Sequence, residues 1–222
     1  MRVSRVRLGG DDYRVIRPDR PPRRAFLFDD GRWSLDMYVD REATAVLAMA
    51  WGLASRSRHS LIYLPMRANT PPLGLTRHGC ESVPLEPLDL VLVQHSVQFQ
   101  ASRWPAVRAR LGGGHLQTAT LPEDVFPEAD TIDYDRIRTR RYRDHLRFDL
   151  AARTLFVVGG PEAFRRTGAS DIRPLVTEGP AHMARWPDGH FCAELDSRYW
   201  PVPPPRRCSG FLHIDYRRTW TV

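Results

Sequence analysis

The chain reads as an α/β protein with a mainly parallel sheet, flanked by helices on both faces, and a more β-rich C-terminal third. Three observations carry that expectation. Strand-like and helix-like segments alternate between residues 33 and 64, an order that places helices over a parallel sheet. The run Leu88–Gln94 (LDLVLVQ) is almost wholly apolar, as suits a strand buried on both faces. Thr154–Val158 passes through Gly159-Gly160-Pro161 into a further helical segment, with proline at the favoured first helical position.

Residues 1–24 are rich in arginine and proline and read as an extended arm, with one strand-like piece at Tyr13–Ile16. Residues 25–222 read as a single domain, a size at which one core is expected. Trp33, Leu35, Met37 and Val39 alternate with polar residues, the period of a strand. Asp40 then occupies a helix N-cap position and Glu42 the first turn, where a carboxylate meets the positive end of the dipole. The helix runs to about Arg56, and Ala43, Val46, Leu47, Ala50, Trp51 and Leu53 cover so much of it that it should be largely buried. His59–Leu64 follows as a second strand. If the two strands are parallel neighbours, the crossover between them is right-handed. The five prolines of residues 65–87 mark a long loop. Farther on, the pattern predicts a helix over Ala101–Leu111 closed by Gly112–Gly114, a short strand at Leu116–Leu121 and a long helix over Tyr134–Arg153. Strands are predicted at Arg173–Val176, Phe191–Leu195 and Phe211–Tyr216, with a stiff polyproline segment at 201–207 before the last.

The formal net charge is +7, and all 33 basic residues are arginine. A lysine-free chain is what a GC-rich, bacterial genome produces through codon bias. The positive field attracts anionic partners whatever its origin. Three widely spaced cysteines (Cys80, Cys192, Cys208) do not suggest a disulfide framework. The opening MRVSRVRLGGDD lacks the apolar stretch of a secretory signal, and the longest apolar run, Ala43–Ala54, is too short to span a bilayer. These features point to a cytoplasmic protein without a membrane partner.

No motif names an activity. The dinucleotide fingerprint, the phosphate-binding lysine loop, the nucleophile elbow and the HExxH helix are all missing. Arg77-His78-Gly79 resembles the RHG of histidine phosphatases, but it lies mid-chain in a proline-rich loop instead of ending the first strand, so no activity is carried over. Two HxC pairs, His78/Cys80 and His190/Cys192, offer four ligands of types suited to zinc. Structural zinc sites more often use CxxC spacing, so no metal or other cofactor is assigned. On the predicted helix 134–153, Arg136, Arg140, Arg143 and Arg147 fall on one stripe, a possible phosphate-tracking face for nucleic acid.

In open α/β sheets, ligands bind outside the carboxyl ends of the strands. The predicted strand ends there carry Asp40, Arg67, His95 with Ser96, and Gly159-Gly160 with Glu162. This set predicts an enzyme acting on a small phosphate- or carboxylate-bearing metabolite. His95 would be the general acid or base, assisted by Asp40 or Glu162. Arg67, Ser96 and the N–H groups of Gly159 and Gly160 would hold the anion. The rival expectations are a nucleic-acid-binding protein using the arginine stripe, and a non-catalytic inhibitor or immunity-type factor that binds another protein.

Overall fold

A computed structural model of the protein describes residues 1–30, 34–73, 75, 85–139, 141–196 and 210–220. The strands are numbered along the chain and form two sheets. β1 (Arg2–Leu8), β2 (Asp11–Arg17), β5 (Ser60–Leu64), β6 (Asp89–Gln94), β7 (His115–Leu116), β8 (Arg147–Ala151) and β9 (Thr154–Gly159) make a seven-stranded sheet in the order β7-β1-β2-β5-β6-β9-β8. β3 (Ala25–Asp29), β4 (Leu35–Val39), β10 (Cys192–Asp196) and β11 (Phe211–Tyr216) make a four-stranded sheet in the order β10-β11-β4-β3.

The expectation of a mainly parallel sheet is overturned. Only β2–β5, β6–β9 and β4–β11 pair parallel; the other six pairings are antiparallel. The reason lies in helix α1 (Arg41–Arg56). It leaves β4 in one sheet and delivers the chain to β5 in the other, so the strand–helix–strand unit is not a crossover between parallel neighbours. The return through residues 65–88 then brings β6 back antiparallel to β5. The segment 1–24 is not an arm. Its β1–β2 hairpin belongs to the large sheet, with Val6, Tyr13 and Val15 buried.

Helix α1 is built as expected. Asp40 caps it, accepting a hydrogen bond from the Ala43 N–H at 2.8 Å, and Leu47, Ala50, Trp51 and Ala54 are buried. It packs into one core with residues from both sheets, among them Leu27, Leu35 and Met37 from the small sheet and Ile62, Leu90 and Leu92 from the large one. Two buried polar contacts fix it there. Gln94 Nε2 donates to the Ala54 and Ser55 carbonyls at 2.7 and 3.0 Å, and Trp51 Nε1 donates to Thr167 Oγ1 at 2.9 Å. The other face of the large sheet is covered by α2 (Trp104–Ala109), whose Trp104 and Val107 are fully buried.

The helix expected over 134–153 is confined to α3 (Tyr134–Ile137). The rest of that stretch leads into β8, which turns into β9 through Ala152 and Arg153, both with positive φ. A two-residue turn of this kind normally announces itself with Asn-Gly or Asp-Gly, and here it does not. The strand expected at Arg173–Val176 is helix α5 (Arg173–Thr177), set between α4 (Pro161–Thr167) with its π-helical extension Gly168–Ile172 and α6 (Gly179–Arg185).

Two buried acids yield predictions. Asp89, fully buried, accepts hydrogen bonds from Tyr63 Oη (3.0 Å) and from the Met66 and Arg67 N–H groups (2.9 and 3.0 Å). Asp89→Ala strands those donors and is expected to destabilise the fold by about 3–5 kcal/mol in denaturant titration. Asp171, in the π-helical turn, has its carboxyl pushed up to about 6 by burial, against the pull of Ser170 and Arg166 and with Glu194 adding to the rise. The folded state therefore favours the protonated acid. Stability from this group is full below about pH 4 and is lost as the pH rises through 6. Asp171→Asn should stabilise the protein by at most about 3 kcal/mol at pH 7.5, with the gain shrinking towards zero near pH 4.

Candidate metal centre

Strand alternation sorts the small sheet into an apolar and a polar face. Ala193, Leu195, Leu212, Ile214, Leu35 and Met37 point into the shared core. The intervening residues occupy the opposite face. There the register sets Cys192 opposite Asp215 and Glu194 opposite His213, and next to them His213 beside Asp36 and Asp215 beside Tyr38. His190, two residues before Cys192, completes the group.

The His190, Cys192 and His213 ligand atoms all lie within 4.8 Å of one another. The two imidazole rings are 5.2 Å apart between centroids and inclined at 36°. Each histidine has a carboxylate beside it. His213 Nδ1 is 3.5 Å from Asp36 Oδ1 and His190 Nε2 is 3.7 Å from Asp215 Oδ1. Both carboxylates are almost entirely buried and further tethered. Ser34 Oγ donates to Asp36 at 3.1 Å, and Arg217 Nη2 lies 2.8 Å from Asp215 while its guanidinium sits over the Tyr38 ring.

The electrostatics follow from burial and these acids. The hydrogen bond to Asp36 raises the His213 pKa despite its desolvation. Burial, and then the Glu194 and Asp215 charges, push the Cys192 thiol up. Burial likewise raises Asp215, opposed by Arg217 and the two histidines. A thiol held protonated by burial and by acidic neighbours is a poor free nucleophile. A divalent cation reverses that balance by favouring the thiolate and neutral imidazoles. The donors fit such an ion. Two imidazoles and one thiolate are zinc-class ligands, and a carboxylate behind each ring is the usual outer support. A tetrahedral ion draws its ligand atoms to roughly 3.3–3.8 Å from one another, so closure requires side-chain shifts of about 1 Å.

Sequence reasoning found two of the three ligands, the His190/Cys192 pair, and assigned no metal. Among the described residues the partner is His213; the other HxC pair, His78 and Cys80, lies outside them. The signal for His213 was the second strand itself, where His213 and Asp215 alternate with Leu212 and Ile214.

The strand-end residues do not form one site. His95 and Ser96 lie beside Gly159 and Gly160, because β6 and β9 are parallel and Gln94 pairs with Gly159. Arg67 lies at the opposite end of the sheet, against Asp89 at 3.5 Å, because β5 and β6 are antiparallel. Asp40 belongs to the other sheet, where it caps α1 and faces Arg24 at 3.5 Å. Within the first group, His95 is exposed and Ser96 Oγ donates to the Arg58 carbonyl. Glu162 is exposed. The Gly160 N–H does hold an anion, but an internal one: Asp144 accepts from Gly160 N at 2.6 Å and from Ala163 N at 3.2 Å.

The arginine stripe has no helix to carry it. Arg136 is in α3 with its guanidinium over the Tyr142 ring, and Arg143 is exposed in irregular chain. Arg147 is in β8 paired with Asp149 at 2.9 Å, and Arg140 lies outside the described residues. No helix among the described residues is long and apolar enough to cross a membrane. No family model, curated protein or solved structure matches the chain.

Proposed function

We propose that the protein is a metal-dependent enzyme that hydrolyses its substrate at a zinc-class ion held by His190, Cys192 and His213. The observation that carries this reading is the convergence of three ligand atoms within 4.8 Å, with each histidine backed by a buried carboxylate. Among the described residues three side chains offer ligands, the number that catalytic zinc centres use. An ion in that position supplies Lewis acidity and makes a water acidic near neutral pH. Asp36 and Asp215, 3.5 and 3.7 Å from the imidazoles, would orient them once an ion is bound. Glu194, exposed and directly across from His213 on the same face, is placed to receive a proton as general base. In this reading the chemistry sits on this face of the small sheet and not at His95.

Zinc titration against a competing chelating dye tests the centre. The wild-type protein should bind one equivalent, and zinc at a hundred times the dissociation constant should stabilise it by about 2.7 kcal/mol in thermal melts. Cys192→Ser and His213→Ala should abolish the stabilisation, and Asp36→Asn should weaken binding by about 10–100-fold. Glu194→Gln separates binding from chemistry. It should keep the metal and lose about 100-fold or more of any ester, amide or phosphoester hydrolysis found by screening. Stoichiometric zinc binding that survives His213→Ala would remove the basis of the proposal.

A further inference from the structure

A second site lies at the far edge of the seven-stranded sheet and is independent of the metal reading. β7 covers only the beginning of β1. Met1 and Gln117 exchange backbone hydrogen bonds of 2.9 and 2.8 Å, and Val3 pairs with His115. There β7 ends. Two residues farther along β1, the ladder's period turns the backbone N–H and C=O of Arg5 to the edge, where no strand among the described residues pairs with it. A notch of about 750 Å³ opens at this point, lined by Ser4, Arg5, Arg14, Arg110 and His115 among others, none of them acidic.

The chain builds the notch from glycine and arginine. Arg17 Nη2 and Arg2 Nη1 donate to the Gly112 and Gly113 carbonyls at 2.6 and 3.2 Å, which holds the glycine loop against the sheet. Gly114 has φ +67°, and a Cβ there would come 2.7 Å from Ser4 Oγ and 2.9 Å from the Val3 carbonyl. Ser4, 7% exposed, has a buried Oγ without a hydrogen-bond partner among the described residues. Arg5 and Arg14 are direct cross-strand partners, so their like charges lie side by side, an arrangement that costs stability unless an anion joins them. Neither they nor Arg110 forms an ion pair with a carboxylate among the described residues. Their recorded bonds are neutral: Arg14 to Ser60 Oγ at 3.4 Å and Arg110 to the Ala106 carbonyl at 3.0 Å.

We propose that this notch binds a phosphate-bearing ligand of nucleotide size across the sheet edge, with Arg5 and Arg14 reaching its phosphates from one face, Arg110 and the Ser4 hydroxyl from the other, and the Arg5 N–H at the edge between them. Guanidinium forks match phosphate oxygens in pairs, and the volume lies within the usual range for small-ligand sites. A free nucleotide and the phosphorylated end of a nucleic acid share this chemistry.

Isothermal titration near physiological salt tests it, with tripolyphosphate, a nucleoside triphosphate, and an oligonucleotide with and without a 5′-phosphate as probes. Saturable one-to-one binding is expected. Arg5→Ala and Arg110→Ala, both at exposed positions, should each weaken it by about tenfold or more, while Arg23→Ala, exposed and outside the notch, leaves it unchanged. Binding of the triphosphates identifies a free nucleotide. Binding of the oligonucleotide only when it carries the 5′-phosphate identifies a nucleic-acid end. Failure of every probe to saturate, or equal sensitivity to Arg5→Ala and Arg23→Ala, overturns the proposal and leaves only the diffuse field of a protein with net charge +7.

Discussion

The buried carboxylate of Asp89 is the constraint from which the arrangement of the chain follows. It stands at the first position of β6, wholly excluded from solvent, and gathers the Tyr63 hydroxyl and two backbone N–H groups from the turn after β5. Arg67 and Arg108 approach it at 3.5 Å from opposite sides of the sequence. A charge in that position is tolerable only because so many donors surround it. They in turn fix where β5 ends and where β6 begins, and hence the antiparallel direction of the two central strands. Desolvation and the Asp89 charge together raise the Tyr63 hydroxyl well above its ordinary pKa, so it remains a donor at every physiological pH.

That antiparallel step explains how much of the fold was legible beforehand. Local signals were enough for α1, whose cap, first-turn acid and apolar circumference all agree, and for β4, β6 and β9, whose periods are clear. Direction and sheet membership are not local. Nothing in the residues of β4 or β5 says that α1 carries the chain from one sheet to another. The β8–β9 hairpin was hidden for a different reason. Its turn uses Ala152 and Arg153 in the left-handed region, where glycine or asparagine would have betrayed it. The arginines before it mimic a solvated helix face.

The site was legible to the same extent and for the same reason. His190 and Cys192 are two residues apart, a spacing that any reader of strands notices. His213 and Asp36 come from strands distant in sequence, and they meet the pair only through the register of β10, β11 and β4. The Gly159-Gly160 turn shows the converse. Its chemistry was readable, since its N–H groups do hold a carboxylate, but that carboxylate is Asp144, sixteen residues upstream.

The hydrophobic core does not divide along the sheets. Residues of both pack around α1 as one cluster, so the small sheet shares its interior with the large one, which keeps a second core of its own beneath α2. Opening the small sheet therefore uncovers the α1 face of the large sheet as well. Any ion or ligand that grips β10 and β11 becomes linked to that shared core. It slows hydrogen exchange of amides in β5 and β6, strands it never touches, because their opening would first have to release it.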